Sequence, residues 1–387
     1  MKNFKAVAIC ATVGVALAGV SIAAPAWADP VANSYVLVGS DTLQDVSNAL
    51  INGTNVSGAF VQTLPDDGAF AGATMGSFDA FGSAAIQTRG AGVRFGRPAG
   101  SGEGVKALSR SIDGAAFQAA FVAPATVAQP SAVITGQVDI ARSSSAPSSA
   151  NILASGPLAY VPFARDAVSF AYFGSGLGTI TLEQLTAIYS CTSAPQINGV
   201  TVIPLLPQAG SGTRKFFLGA IGVSDAAATT CVSVTNGTST SGNASKAEND
   251  GTVLDVAGQI IPFSVANWVA QSNGAAPARL GAATLGTTNG TAPYTGTGSA
   301  LSSNPTFFAD AKWGRDTYMV VEYARINSAT AGTVGSKFDQ GLFDLLDPSV
   351  PTSLTNVGTF GATSGAVKAK FGFLAPASST IIRAKSS

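Results

Sequence analysis

Val202-Ile203-Pro204-Leu205-Leu206-Pro207-Gln208-Ala209-Gly210-Ser211-Gly212-Thr213-Arg214-Lys215-Phe216-Phe217 passes from an apolar run through a glycine–hydroxyl turn into a helical segment. Glycines let the backbone approach a ligand closely, and the hydroxyls cap the helix or donate. The start of a helix also presents unpaired N–H groups and about half a positive charge, enough to hold an anion without a formal cation. The same design occurs twice upstream. Val36-Leu37-Val38 leads through Gly39-Ser40-Asp41-Thr42 into Leu43-Gln44-Asp45-Val46, and Gly100-Ser101-Gly102-Glu103-Gly104 opens Val105-Lys106-Ala107-Leu108. Any one of these turns is an ordinary cap in a chain with 44 glycines. Three together can dehydrate a tetrahedral oxyanion and meet most of its acceptor positions. None fits the phosphate loop of nucleotide hydrolases or the dinucleotide fingerprint.

Outward from these turns, strand-length apolar runs recur at 35–38, 133–140, 168–173, 200–206, 259–263 and 318–326. Helix-period segments lie between several of them, at 43–51, 105–112, 182–189 and 214–221. Strand and helix in turn predict an α/β fold. The Ser/Thr/Asn/Gly-rich stretch 235–250 reads as a surface loop, and the polar tract 281–304 as a mobile excursion. Asp66-Asp67, between Pro65 and Gly68, reads as a solvated turn, and Glu322 as a strand residue. Neither has a partner at acid/base spacing.

Composition narrows the function. The 387 residues carry 21 Lys+Arg against 21 Asp+Glu, 11% charged in all, with 46% hydrophobic content and no histidine. A neutral chain lacks the field that nucleic-acid binding draws on. Without histidine there is no Ser-His-Asp or Cys-His relay and no HExxH zinc site. No resident metal or cofactor is expected.

Residues 1–28 read as a signal peptide: Lys2 and Lys5, an apolar stretch over 7–22, then Ala26-Trp27-Ala28 as cleavage signature. Their removal leaves 19 basic against 21 acidic residues, and the mature chain is expected to be secreted or held in the cell envelope. Cys10 lacks the setting of a lipid-attachment cysteine and goes with the leader. Cys191 and Cys231 remain; in an oxidising compartment they read as a disulfide worth about 4 kcal/mol, the alternative being two buried thiols.

Taken in order, Gly39-Ser40-Asp41-Thr42, Gly100-Ser101-Gly102-Glu103-Gly104, Asp139-Ile140-Ala141-Arg142-Ser143-Ser144 and Gly210-Ser211-Gly212-Thr213 resemble the phosphate-binding proteins of ABC uptake systems. Leu182-Glu183-Gln184-Leu185-Thr186-Ala187-Ile188-Tyr189 resembles a helix of that family's second lobe, and the segment from Asn249-Asp250-Gly251 to Ile260-Ile261-Pro262-Phe263 resembles its return segment. The resemblance implies a periplasmic-binding-protein-like type II fold, with two lobes, a hinge and a central ligand cleft. Lobe 1 is expected over 29–158 and again over 276–387, lobe 2 over 159–275, with crossing strands near 160 and 270.

Residue by residue, the resemblance gives anion contacts to Ser40, Thr42, Ser101, Ser143, Ser211, Gly212 and Thr213; Asp41, Gly102, Arg142, Ser144 and Arg214 complete the candidate set. Ser144 stands where the family has an aspartate that accepts the proton of hydrogen phosphate. Pro207-Gln208-Ala209 stands where the family has an Arg and an Asp. Arg142 and Arg214 read either as substitute guanidinium groups or as solvated surface cations, and Asp41 as a substitute proton acceptor or an N-cap. The implied function is capture of phosphate or a similar oxyanion by a monomer, without chemistry, for handover to an ABC permease. The alternative is a binding-protein fold reused as an extracellular interaction protein with a degenerate site. A phosphatase would need a metal cluster or an activated nucleophile.

Overall fold

The computed structural model describes residues 29–30, 32–65, 74–120, 129–192, 196–230, 232 and 247–387. The signal-peptide segment, Asp66-Asp67, Cys231 and most of the 235–250 tract lie outside them. In chain order, the elements that matter are β1 (Val36–Gly39), α1 (Gln44–Asn52), β2 (Gly76–Ser77), α2 (Ser101–Asp113), β3 (Ile140–Ser143), β4 (Leu158–Tyr172), α3 (Leu182–Tyr189), β5 (Ile203–Pro204), α4 (Gly212–Ala220), α5 (Asp225–Ala228), β6 (Gln259–Ser264), α6 (Val265–Ser272), β7 (Thr284–Leu285), β8 (Gly314–Glu322), α7 (Ser364–Lys370) and β9 (Ile382–Ala384). The expected mixed α/β fold is what the chain adopts.

The organising element is β4. It is 15 residues long, against a usual five or six, because one sequence serves two sheets. Its first part pairs antiparallel with β8, from Leu158 opposite Glu322 to Ala167 opposite Gly314, with an irregularity between Pro162 and Ala164. Its last part pairs antiparallel with β6, from Val168 opposite Ser264 to Tyr172 opposite Ile260. The sheet order is β5-β6-β4-β8-β3-β1-β2, with β7 and β9 also on β4. β1 is parallel to β2 and β3, and β3 is antiparallel to β8.

Period-two alternation in the first part of the sheet feeds two separate cores. Leu37, Ala159, Val161, Met319 and Val321 face one cluster with Leu43, Val46 and Leu50 of the α1 region. Val36, Val38, Leu158, Tyr160, Tyr318 and Val320 face the other, with Val105 and Leu108 of α2. A third core surrounds the second part, built from Phe170, Tyr189, Phe217, Phe263, Phe307 and Trp313. Each large apolar side chain buried there contributes about 1.5–3 kcal/mol.

The helices start where the sequence supplies caps. Thr181 accepts from the Gln184 amide while Gln184 reaches back to Thr181, a capping box on α3. α2 stops at Gly114, left-handed at φ 72°, whose amide bonds the Arg110 carbonyl.

Three local expectations differ from the structure. The chain re-enters the first sheet through β8 at Gly314, and residue 270 lies within α6. Before that return, Leu285, Leu301, Phe307 and Trp313 pack in the third core. α6 faces both ways, Trp268 and Val269 toward the third core and Ala266 and Ala270 toward the first. The polar tract 281–304 is pinned by Leu285 and Leu301, 5% and 8% exposed, and by short strand pairs. Residues 323–326, read as strand, form a helical turn.

Candidate functional site

The four segments singled out in the sequence, three turns and the 139–144 stretch, meet along the seam between the two parts of the sheet. Ser101 begins α2 and Ser211 caps α4, its Oγ accepting from the Arg214 amide at 3.0 Å. The Gly102 amide donates to the Gly210 carbonyl at 3.1 Å, tying the α2 turn to the α4 turn. Gly100 sits at φ 104°, in the left-handed region that favours glycine. A Cβ on Gly212 would lie 2.4 Å from both the Ser101 and Ser144 hydroxyls, so only glycine allows this approach. Ser101 and Ser144 are 3.1 Å apart through their hydroxyls, and the Ser144 amide donates to Ser101 Oγ at 3.0 Å.

Behind these turns, Thr42 Oγ1 and Thr213 Oγ1 approach to 3.3 Å. Arg315, at the start of β8, reaches both: Nη2 donates to Thr213 Oγ1 at 2.9 Å and to Thr42 Oγ1 at 3.4 Å. Nη2 and Nε also bond Asp166 Oδ2 at 2.8 and 3.1 Å, in an ion pair whose side chains are 2% and 0% exposed. Asp166 Oδ1 accepts from the Ser264 hydroxyl and the Ala266 amide at the start of α6. The carboxylate therefore meets four donors, which such a buried charge requires. Arg315 Nη1 has no partner among the described residues, and neither has the buried Ser40 Oγ. Asn267 Nδ2 donates to the Thr42 carbonyl at 2.9 Å, and Asn249 Nδ2 to Asp41 Oδ2 at 2.9 Å.

Two acids complete the seam. Glu248 Oε2 accepts from the Ser211 hydroxyl and from the Thr213 amide, the latter at 3.3 Å. Its Oε1 is buried without a partner among the described residues. Burial pushes the Glu248 carboxyl above its usual range, opposed by the Ser211 hydrogen bond and the Arg315 charge. Asp41 is pushed up to about 8, chiefly by burial and further by Glu248 and Asp45, with Arg279 and the Asn249 bond opposing. Near neutral pH Asp41 is thus predominantly protonated and adds little repulsion toward an anion.

The two candidate arginines are buried rather than solvated, and their guanidinium groups bond none of the hydroxyls of this cluster. Arg142 is 0% exposed and spends its donors on the Ser40 carbonyl (3.3 Å), Ser77 Oγ (2.5 Å) and the Phe78 carbonyl (2.5 Å). Desolvation lowers it to about 10. Arg214 grips Asp225 of α5 at 2.6 and 2.9 Å and the Pro207 carbonyl at 2.9 Å. The hydroxyl of Ser143 turns to the Ser145 carbonyl at 2.7 Å. The structure thus gathers Ser40, Asp41, Thr42, Ser101, Gly102, Ser144, Ser211, Gly212 and Thr213 along one seam. Arg142, Ser143 and Arg214 are engaged elsewhere. Among the described residues no three His, Cys, Asp or Glu side chains are disposed to hold a metal ion.

No family model matches the sequence, and no curated protein matches it either. In course of chain it is similar to a candidate phosphate ABC transporter substrate-binding protein of Clostridium perfringens with bound phosphate, at 13% identity over 89% of this chain and 99% of that one, TM-score 0.49. An ABC-type phosphate transport receptor from Vibrio cholerae gives 12% identity, 89% and 100% coverage and a TM-score of 0.45. A phosphate binding protein from Stenotrophomonas maltophilia gives 13%, 89% and 91%, and 0.42. At such identity the role of each residue is argued from this chain's own geometry.

Sequence reasoning missed Arg315, Asp166, Glu248, Asn249 and Asn267 as members of the site. For Asp166 a signal existed: Phe163-Ala164-Arg165-Asp166-Ala167-Val168 sets two charges in an apolar strand, and a charge buried there must be paired. Glu248 carries no such mark at the end of a polar tract.

Proposed function

We propose that the protein is a secreted solute-binding protein that captures phosphate or a similar tetrahedral oxyanion for ABC-transporter uptake. The observation that carries this reading is the convergence of hydroxyls from opposite sides of the seam, Thr42 and Thr213, on one buried guanidinium with a spare donor. Arg315 would supply the positive charge, held in orientation by Asp166. Ser101, Ser211 and Thr213 would donate from the starts of α2 and α4, where the helix dipoles favour an anion. Charge-assisted bonds to fixed donors offset the cost of stripping the anion of water. Since β4 and β8 join the lobes, hinge motion about them would admit and release the ligand. The reading involves no bond making or breaking. Phosphate is chosen among oxyanions on the motif order alone.

Secretion after cleavage near Ala28, a monomeric state and a Cys191–Cys231 disulfide belong to the same reading. Cys191 Sγ lies 3.4 Å from the Ala227 carbonyl, close in sequence to position 231. A second reading, an interaction protein with a degenerate site, draws support from Glu248, whose carboxylate takes donors an anion needs. Isothermal titration of the stripped mature chain with phosphate, then sulfate, separates the two. Micromolar phosphate binding is the expected result, and silence toward both anions would put the second reading first.

A further inference from the structure

Glu248 is placed where a ligand oxygen is expected. Its Oε2 takes the Ser211 hydroxyl and the Thr213 amide at the start of α4, a helix of nine residues. Those are the donors that an oxyanion would use under the capture reading, and a carboxylate oxygen and a phosphate oxygen ask for the same hydrogens. Glu248 is 1% exposed, yet its Oε1 is unpartnered among the described residues. A carboxylate that is only half satisfied and fully desolvated is expensive to keep. Arg315 Nη1, unpartnered on the same criterion, belongs to the guanidinium whose Nη2 bonds Thr213 Oγ1 at 2.9 Å. The seam therefore holds an internal anion on the helix start and an unused cationic donor beside it.

We propose that Glu248 is a built-in surrogate ligand: its carboxylate occupies the α4 donors in the empty protein, and a captured oxyanion must displace it. The inference rests on the oxyanion-capture reading and adds the residue that sets the affinity of that site. It also removes the conflict between Glu248 and capture, since the contact belongs to the unliganded state. Displacement returns one carboxylate to a more hydrated position and gives its donors to the ligand. The site is accordingly tuned to release as well as to hold.

The experiment is isothermal titration of the mature chain with inorganic phosphate and with sulfate, for wild type, Glu248→Ala and Glu248→Gln, each checked for folding by circular dichroism melting. Removing a competitor that holds charge-assisted bonds should tighten binding about ten-fold or more in Glu248→Ala. Glu248→Gln keeps the shape and a weaker acceptor, and should fall between the other two. It carries the test if the alanine variant does not fold. Affinity in both variants equal to or weaker than wild type, with wild type binding normally, overturns the surrogate role and leaves the capture reading standing. No binding of either anion by any of the three proteins overturns both.

Discussion

Arg142 and Arg315 are buried to nearly the same degree, 0% and 3% exposed, yet they are built for different work. Arg142 faces neutral acceptors: its Nε, Nη1 and Nη2 all bond to the backbone or hydroxyl groups around β1 and β2. It fastens the end of β1 in place. Arg315 faces a carboxylate and two threonines drawn from opposite sides of the seam, and keeps Nη1 unpartnered among the described residues. A buried cation with a partner at every nitrogen is a rivet, whereas one that keeps a nitrogen unpartnered among the described residues retains a donor for a ligand. Sequence position favoured Arg142, inside a candidate motif. Geometry favours Arg315.

The most damaging substitution in the seam is expected at Asp166. Asp166→Ala leaves the Arg315 charge buried and unpaired, and should cost about 3–5 kcal/mol in a urea titration. A loss within 0.5 kcal/mol would mean that the ion pair does not hold this seam. Arg142→Met should come next in stability, at about 1–3 kcal/mol, by leaving the buried Phe78 carbonyl without its donor. If Arg142 is only a rivet, calorimetric phosphate affinity in this variant should stay within about three-fold of wild type, because its guanidinium bonds the Ser40 carbonyl and none of the seam's hydroxyls.

Gly212→Ala tests the approach of the turns rather than the charges. Its Cβ would lie 2.4 Å from the Ser101 and Ser144 hydroxyls, so the seam must open. Anion affinity should drop about ten-fold while far-ultraviolet circular dichroism stays unchanged.

The remaining test is a pH slope. The Asp41 carboxyl is raised to about 8 in the folded chain, from about 3.9 when unfolded. Between those values the folded state holds a proton that the unfolded state has lost. Its contribution to stability is full below about pH 4, declines as pH rises and is gone above about 8. Asp41→Asn should flatten that part of the stability profile, measured by denaturant midpoints at pH 5 and pH 8. An unchanged slope would show that Asp41 ionises normally in the fold.

Much of this was legible because turns and helix starts are local. The helix at 182–189 appears with those bounds, and the three glycine–hydroxyl turns each open helical structure where Gly39, Gly100 and Gly210 announce it. What was not legible depends on which strands become neighbours. The pairing of Arg315 with Asp166 spans 149 positions, and it exists because β4 and β8 run antiparallel with Asp166 opposite Arg315. No local pattern encodes that register. Arg142 misled for the same reason: its motif is local, but its direction is set by β2, which supplies Ser77 beside it.

The most direct test of the central claim is the phosphate affinity of wild type against Arg315→Met by isothermal titration, with melting curves for both proteins. Micromolar binding by wild type is expected, with a loss of at least about 100-fold in a variant that still melts cooperatively, since a charge-assisted contact is removed from a desolvated site. Equal affinity in the two proteins would contradict it and place the anion, if bound, away from the seam.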